Sequence, residues 1–266
     1  MAIINKSNLI IPEVLEDLMQ YDYENALVIG KLAYQDNALV GQPGDTVTIP
    51  YVAPLGDAET VAEGASLTPE ANSDSKITIE IAKAGKAVQL TQEAINSCAY
   101  DVKSNRRTQL AKAIARKVDK DLIAEIGKTS LVHTASALNY ATIVDAKAKM
   151  GEEGFVNTPV LFVNSADYAE LAKTPEFIAG ATQIADFGIQ ASAMLVDMPV
   201  VVTDTVAAKT AFLVTPGSFV LANKQYPTIY GDVNTLSEVT TMSVFMHYGV
   251  KLPNTDRGVV KITLGN

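Results

Sequence analysis

Tryptophan is absent from this chain of 266 residues, cysteine occurs once and histidine twice. A single cysteine, Cys98, excludes an intrachain disulfide, and it reads as a small buried hydrophobe just before a long helix. Two histidines, His133 and His247, and one cysteine give little from which to build a transition-metal site; both histidines read as structural. No apolar run approaches the ~20 residues of a membrane span. The N-terminus, MAIINKSNLIIPEVLEDLM, lacks a signal-peptide pattern, because Asn, Lys and Pro interrupt its short apolar run. No membrane partner is expected. Positive charge is also in deficit: 21 Lys and Arg stand against 30 Asp and Glu, for a net charge of −9. That balance argues against a dedicated DNA-binder and leaves room only for loose proximity to nucleic acid. The nucleotide-binding Gly-rich loops, Gly-x-Ser-x-Gly, His-Glu-x-x-His and Cys-x-x-Cys are all missing. Carboxylates are plentiful, but none is paired in a hydrophobic setting that would raise a pKa, and Glu152-Glu153 reads as an exposed turn. No catalytic residue, cofactor or metal is expected.

What is present suits a packed globular protein of one or two domains, with 48% hydrophobic and 19% charged residues. Its organising element is the stretch 101–127, DVKSNRRTQLAKAIARKVDKDLIAEIG. Leu110, Ile114, Val118, Leu122 and Ile126 recur every four residues, and Ala111 and Ala115 widen that face. Asp101 is placed to cap the helix, and Gly127 to stop it at the C′ position. At about 1.5 Å per residue it spans about 40 Å. Lys112, Arg116 and Lys120 form a basic row away from the apolar arc, extended by Arg106 and Lys117.

Before this spine lie two regions with little apolar surface. In residues 1–44, Val14, Leu15, Leu18 and Met19 fit one short helix with Pro12 in its first turn, and Asn25–Tyr34 is weakly periodic. Neither can fold alone. Residues 45–52 and 76–82 then alternate as strands, with Pro50 marking an edge, and 86–90 repeat the pattern. The polar stretch 53–75 between them is too long for a hairpin turn, which predicts a projecting two-stranded ribbon. From Leu32 to Ser75 the chain has no Lys or Arg, yet it carries Asp36, Asp45, Asp57, Glu59, Glu63, Glu70 and Asp74. Thr91 is placed to cap a short helix leading to the spine. Beyond Gly127, a helix at 141–150 and the buried strand VLFV at 160–163 are expected. A helix capped by Ser165 follows, then strands at 195–202 and 211–214, which together suggest a small sheet covered by helices. From 219 the pattern is mainly strand.

Taken together, several stretches resemble the major capsid proteins of tailed bacteriophages with the Hong Kong phage capsid fold. They are IPEVLEDLM at 11–19, GDTVTIPYVAPLGDAETVAEGASLTPE at 44–70, ITIEIAKAGKAVQLTQEAI at 77–95 and the spine. In the C-terminal half they are VLFVNSADYAELAK at 160–173, PVVVTD at 199–204, FLVTPGSFVLANK at 212–224 and FMHYGVKL at 245–252. The resemblance implies an α+β fold with an N-terminal arm at 1–44 and an extended loop at 45–90 lying over a neighbouring subunit. It implies a peripheral domain from 91–130 and 223–266 carrying the spine, and an inserted axial domain at 131–222. It further implies a structural subunit that is not an enzyme. Such a subunit self-assembles in the host cytoplasm, as hexamers and pentamers, into the icosahedral virion capsid around double-stranded DNA, with a portal. Met1 stands too close to the ribbon for a cleaved scaffold segment, so a separate scaffolding protein is expected. The ribbon has no lysine between Lys31 and Lys76 with which its tip could form a crosslink.

An encapsulin-like nanocompartment shell shares that fold and is the alternative; an enzyme with no recognised motif is a third reading. For assembly, the two charge blocks suggest a contact between copies, with Asp57, Glu59 and Glu63 of one subunit docking near Lys112, Arg116 and Lys120 of the next. The spine's Leu110, Ile114, Val118 and Leu122 are expected to pack on the last strands, for example on Val244, Met246, Val250 and Ile262.

Overall fold

The computed structural model describes residues 12–52, 58, 60–62, 64, 66, 74–151, 156–173, 183–184, 190–191, 193–195, 198–234 and 236–265. Helix α1 spans Pro12–Ala26 and is followed by a 3-10 turn at Gly30–Leu32, β1 (Tyr34–Asp36), β2 (Thr46–Val52), β3 (Asp74–Glu80) and β4 (Ala82–Thr91). Short α2 (Gln92–Ser97) leads to the spine, α3 (Val102–Ile126). Then come β5 (Val132–Ala135), α4 (Tyr140–Lys149), β6 (Val160–Val163) and α5 (Ser165–Leu171). Short strands β7 (Gln183–Ile184), β8 (Gln190–Ala191) and β9 (Ala193–Leu195) precede β10 (Met198–Val202) and β11 (Thr210–Val214). The chain closes with β12 (Val220–Asn234), β13 (Val239–Lys251) and β14 (Val259–Leu264).

The spine forms because its apolar residues repeat at helical spacing and its first turn is capped. The Asp101 carboxylate accepts the Ser104 N–H at 3.1 Å. Leu110, Ala111, Ile114, Ala115, Val118, Leu122 and Ile126 are all buried, which is the face the periodicity predicts. Gly127 ends the helix as read, in a right-handed conformation (φ −63°) with its N–H bonding to the Ile123 carbonyl. Thr91 caps α2 as read, by accepting the Ala94 N–H. Cys98, expected inside, is exposed between α2 and α3.

Two sheets flank this helix system. The first has the order β1-β12-β13-β4, and the spine packs across one of its faces. Val244 and Met246 of β13 join the spine's cluster, Val250 packs on its margin, and Tyr248 lies in the same core. Ile262 does not: β14 runs in the second sheet, where Ile262 points into a separate cluster. That second sheet has the order β5-β14-β11-β6-β10-β9. Its strand β6 is buried at every residue because both faces are covered. Val160 and Phe162 point to the spine's cluster, whereas Leu161 and Val163 point to the one built with Ile143, Ala146 and Met150 around α4 and Leu171 of α5. Helix α5 is capped by Asn164, whose side chain accepts the Ala166 N–H, and not by Ser165, whose hydroxyl donates to Asp204 at 2.9 Å.

The sheets join stretches that the sequence separates. Residues 34–36 and 82–91 both lie in the first sheet with β12 and β13, and β14 completes the sheet made by strands of 131–222. More consequential is the N-terminal segment, read as unable to fold alone. Met19, Tyr23, Leu27, Ile29 and Leu32 are buried in the same cluster as the spine, so for these residues of 1–44 the surface that supplies burial belongs to the same chain. Helix α1 runs longer than the short helix read from the sequence. Its apolar residues, too few for an independent core, complete one begun elsewhere.

The ribbon is as expected. Strands β2 and β3 pair antiparallel in their own two-stranded sheet, from Thr46 opposite Glu80 to Val52 opposite Asp74. Among its described residues the buried ones lie at the root, where Val47 and Ile79 pack with Val220 and Ala222 of β12, and Leu39, Ile49 and Ile81 line the margin.

Candidate assembly surfaces

Function in a chain with this composition is sought in surfaces and in what holds them rigid. The centre of that rigidity is Asp119, which is 3% exposed on the spine's inner face. Its carboxylate accepts three successive backbone N–H groups from the turn after α1. Val28 donates at 3.0 Å, Ile29 at 3.1 Å and Gly30 at 3.0 Å. A buried carboxylate is tolerated only when its lone pairs are satisfied, and here the main chain does so. Burial raises the Asp119 pKa; the three amides and Lys31 work in the opposite direction. Nearby, burial and the neighbouring Asp119 push the Tyr23 hydroxyl up as well. Asp22 of α1 accepts from Arg107 at 3.3 Å and from the Thr108 hydroxyl at 2.9 Å. On the sheet side, the Tyr248 hydroxyl donates to Asp121 at 2.6 Å. The spine is therefore fixed by polar contacts to both neighbours, buried at Asp119 and half-buried at Asp22 and Asp121.

Sequence reading missed Asp119. The signal was present, since Asp119 continues the four-residue ladder of Ala111 and Ala115. An aspartate there reads as a solvated side chain unless one knows that a turn 90 residues earlier offers three unpaired amides.

The spine's other side is open. Lys112, Arg116 and Lys120 are all exposed, and they form no ion pair among the described residues. At helical spacing they make one line of positive charge. Lys117, read as part of the same side, is turned to Asp121 at 2.5 Å. The three acidic residues expected to meet this row, Asp57, Glu59 and Glu63, lie outside the described residues, as do Glu152 and Glu153. A third surface is the turn between β12 and β13, where Val233 and Leu236 are 60% and 98% exposed and Tyr230 lies half-exposed nearby. Among the described residues, no group of three or more His, Cys, Asp or Glu gathers as a metal site would require. None of their helices is long and apolar enough to cross a membrane.

A subunit with a long braced helix and a two-stranded ribbon anchored at its root is built like a component of a larger assembly. Solved structures share its fold. The capsid of cyanophage P-SCSP1u matches with a TM-score of 0.70 at 14% identity, over 90% of this chain and 88% of that one. A virus-like particle from Pyrococcus furiosus matches with a TM-score of 0.62 at 12% identity, over 94% and 98%. At such identities the likeness establishes the fold alone. Sequence matches go further. A family model described as phage capsid protein covers residues 74–262. The major capsid protein of Staphylococcus phage phiMR11 is 31% identical over 100% of this chain and 97% of its own length. The chain belongs to the phage capsid protein family, and its function is that of a subunit of the capsid shell.

Proposed function

We propose that the chain is the major capsid protein of a tailed phage, assembling with itself as hexamers and pentamers into an icosahedral shell around double-stranded DNA. The observation that carries this is the match to a phage major capsid protein along the whole chain. The ribbon, with one edge of each strand unpaired beyond its root, supports the reading, because such an element gains burial only against another copy. In this reading residues 1–44 are the arm, 45–90 the extended loop, 91–130 with 223–266 the peripheral domain and 131–222 the axial domain. The subunit acts as a building block and not as a catalyst. A separate scaffolding protein and a portal are its assembly partners, assembly takes place in the host cytoplasm, and contact with the packaged DNA is loose.

The acidic loop of one copy, through Asp57, Glu59 and Glu63, docks near Lys112, Arg116 and Lys120 of the next. Three exposed cations in line and a loop without cations support that pairing. Charge reversal tests it. Glu59→Lys with Glu63→Lys slows assembly at low salt, and Lys112→Glu with Arg116→Glu in the same chain partly restores it. Absence of rescue in folded subunits sinks the pairing.

An encapsulin-like nanocompartment is the second reading, since a shell particle that is not titled a phage capsid, the virus-like particle from Pyrococcus furiosus, has a similar fold. It ranks lower because that likeness is of fold alone. Electron microscopy of the purified protein, with and without a candidate scaffold, tests the shell itself. The contents of shells isolated from cells, packaged DNA or an enzyme cargo, separate the two readings.

A further inference from the structure

The place where the ribbon leaves the body is built more closely than a flexible hinge requires. Strand β3 crosses the face of the first sheet opposite the spine, and one residue, Ile81, separates it from β4, which drops into that sheet's edge with Ala82 opposite Tyr248. Under this corner lies Gly249 of β13, paired with Ala222 of β12. Together they make a floor of two small residues. A Cβ on Gly249 would lie 2.5 Å from the Glu80 carbonyl oxygen and 2.7 Å from Ile79 Cγ2. Nonbonded carbons normally keep about 3.5–4.0 Å, so the main chain of β3 has to lift to admit one methyl group. No left-handed backbone is involved; glycine is needed here for space alone.

The other strand of the ribbon is tied at the same level. Lys224 Nζ donates to the Gly44 carbonyl at 2.6 Å and reaches Asp45 at 3.4 Å. The Asp45 carbonyl in turn accepts the Ile81 N–H at 2.9 Å, which locks the two strands together at the root. Ile79, 1% exposed, and Val47 fill the space between these ties. Beyond them the ribbon acts as a lever. At about 3.3 Å per residue its seven-residue strands are about 23 Å long, so a tilt of about 10° at the root carries the far end by about 4 Å.

We propose that Gly249 and Lys224 form a seat that sets the angle of the ribbon on the body, and that this angle fixes how one copy of the chain meets the next. The inference rests on the shell reading above. Its residues are positioning residues for assembly and need make no contact with the neighbouring copy themselves.

The test compares wild type, Gly249→Ala and Lys224→Ala as full chains. Hydrogen exchange is measured on unassembled subunits, and particle diameter by electron microscopy under identical assembly conditions. In both variants the amides of Val47, Ile79 and Ile81 are expected to exchange at least ten-fold faster while those of 110–126 remain as in wild type. Shells are expected to be absent or to differ in diameter. Shells of wild-type diameter from a variant with a loosened root overturn the proposal, as does unchanged exchange at the root. If Gly249→Ala does not yield folded subunits, Lys224→Ala, which removes no core atom, carries the same test. Failure of the wild-type protein itself to form shells counts against the shell reading; wild-type assembly with indifferent variants counts against the seat alone.

Discussion

The N-terminal segment and the ribbon start from similar resources. Each has a handful of apolar residues on one face, and neither holds enough to fold by itself. Their fates differ. In the first, Met19, Tyr23, Leu27, Ile29 and Leu32 enter the spine's cluster, and Asp119 holds the turn between them by three amides. In the second, Val47 and Ile79 are buried at the root. The difference teaches that weak apolar content does not by itself keep a segment out of its own subunit's core. What matters is whether the rest of the chain leaves a matching face uncovered, and the spine's upper side does so for α1.

The comparison is broken most directly at the spine. Leu122 is fully buried in the cluster that the spine shares with α1, so Leu122→Ala should lower folding stability by roughly 2–5 kcal/mol in urea unfolding. A loss under ~1 kcal/mol would mean that this face is not the core. Asp119→Ala comes next, at about 3 kcal/mol, because it leaves three amides buried without an acceptor. Hydrogen exchange should show the loss first at Val28, Ile29 and Gly30. If those amides keep their protection, the clamp does not hold the segment.

A matched pair then sharpens the contrast. Met19→Ala should cost roughly 2–3 kcal/mol of global stability, since α1 unfolds with the core. Ile79→Ala should shift the global transition by less than ~1 kcal/mol while speeding exchange at the ribbon root, since the ribbon opens on its own. Equal global losses would show that the ribbon belongs to the same cooperative unit.

The smallest effect expected is one of pH. Burial raises the Asp119 pKa in the folded state against the opposing amides. Folding therefore favours its protonated form. That contribution is fully present below the ordinary aspartate value of about 3.9 and is lost as pH rises through the raised value. Wild-type stability measured against Asp119→Asn should fall as pH rises across that window. A difference that stays flat, or that grows with pH, would mean the amides outweigh burial.

The resemblance to phage capsid proteins was legible in the ordered stretches of the sequence, and the sequence comparisons bear it out. The spine, its buried face, the ribbon, the α2 cap and strand β6 were also legible, because each is set by spacing and local hydrogen bonding. A period of four residues or of two survives whatever surrounds it. Where the outcome depended on distant partners, the sequence could not decide. Asn164 rather than Ser165 caps α5 because Ser165 has Asp204 to bond, 39 residues away. Ile262 serves the second cluster because β14 pairs with β11 and β5. Cys98 is exposed because the link between α2 and α3 leaves the core. Asp119 is an anchor and Gly249 a seat only because segments 90 and 169 residues earlier in the chain pass over them. Sequence fixes periodicity, which is local; which uncovered face meets which spare segment is a matter of tertiary packing, and only the fold decides it.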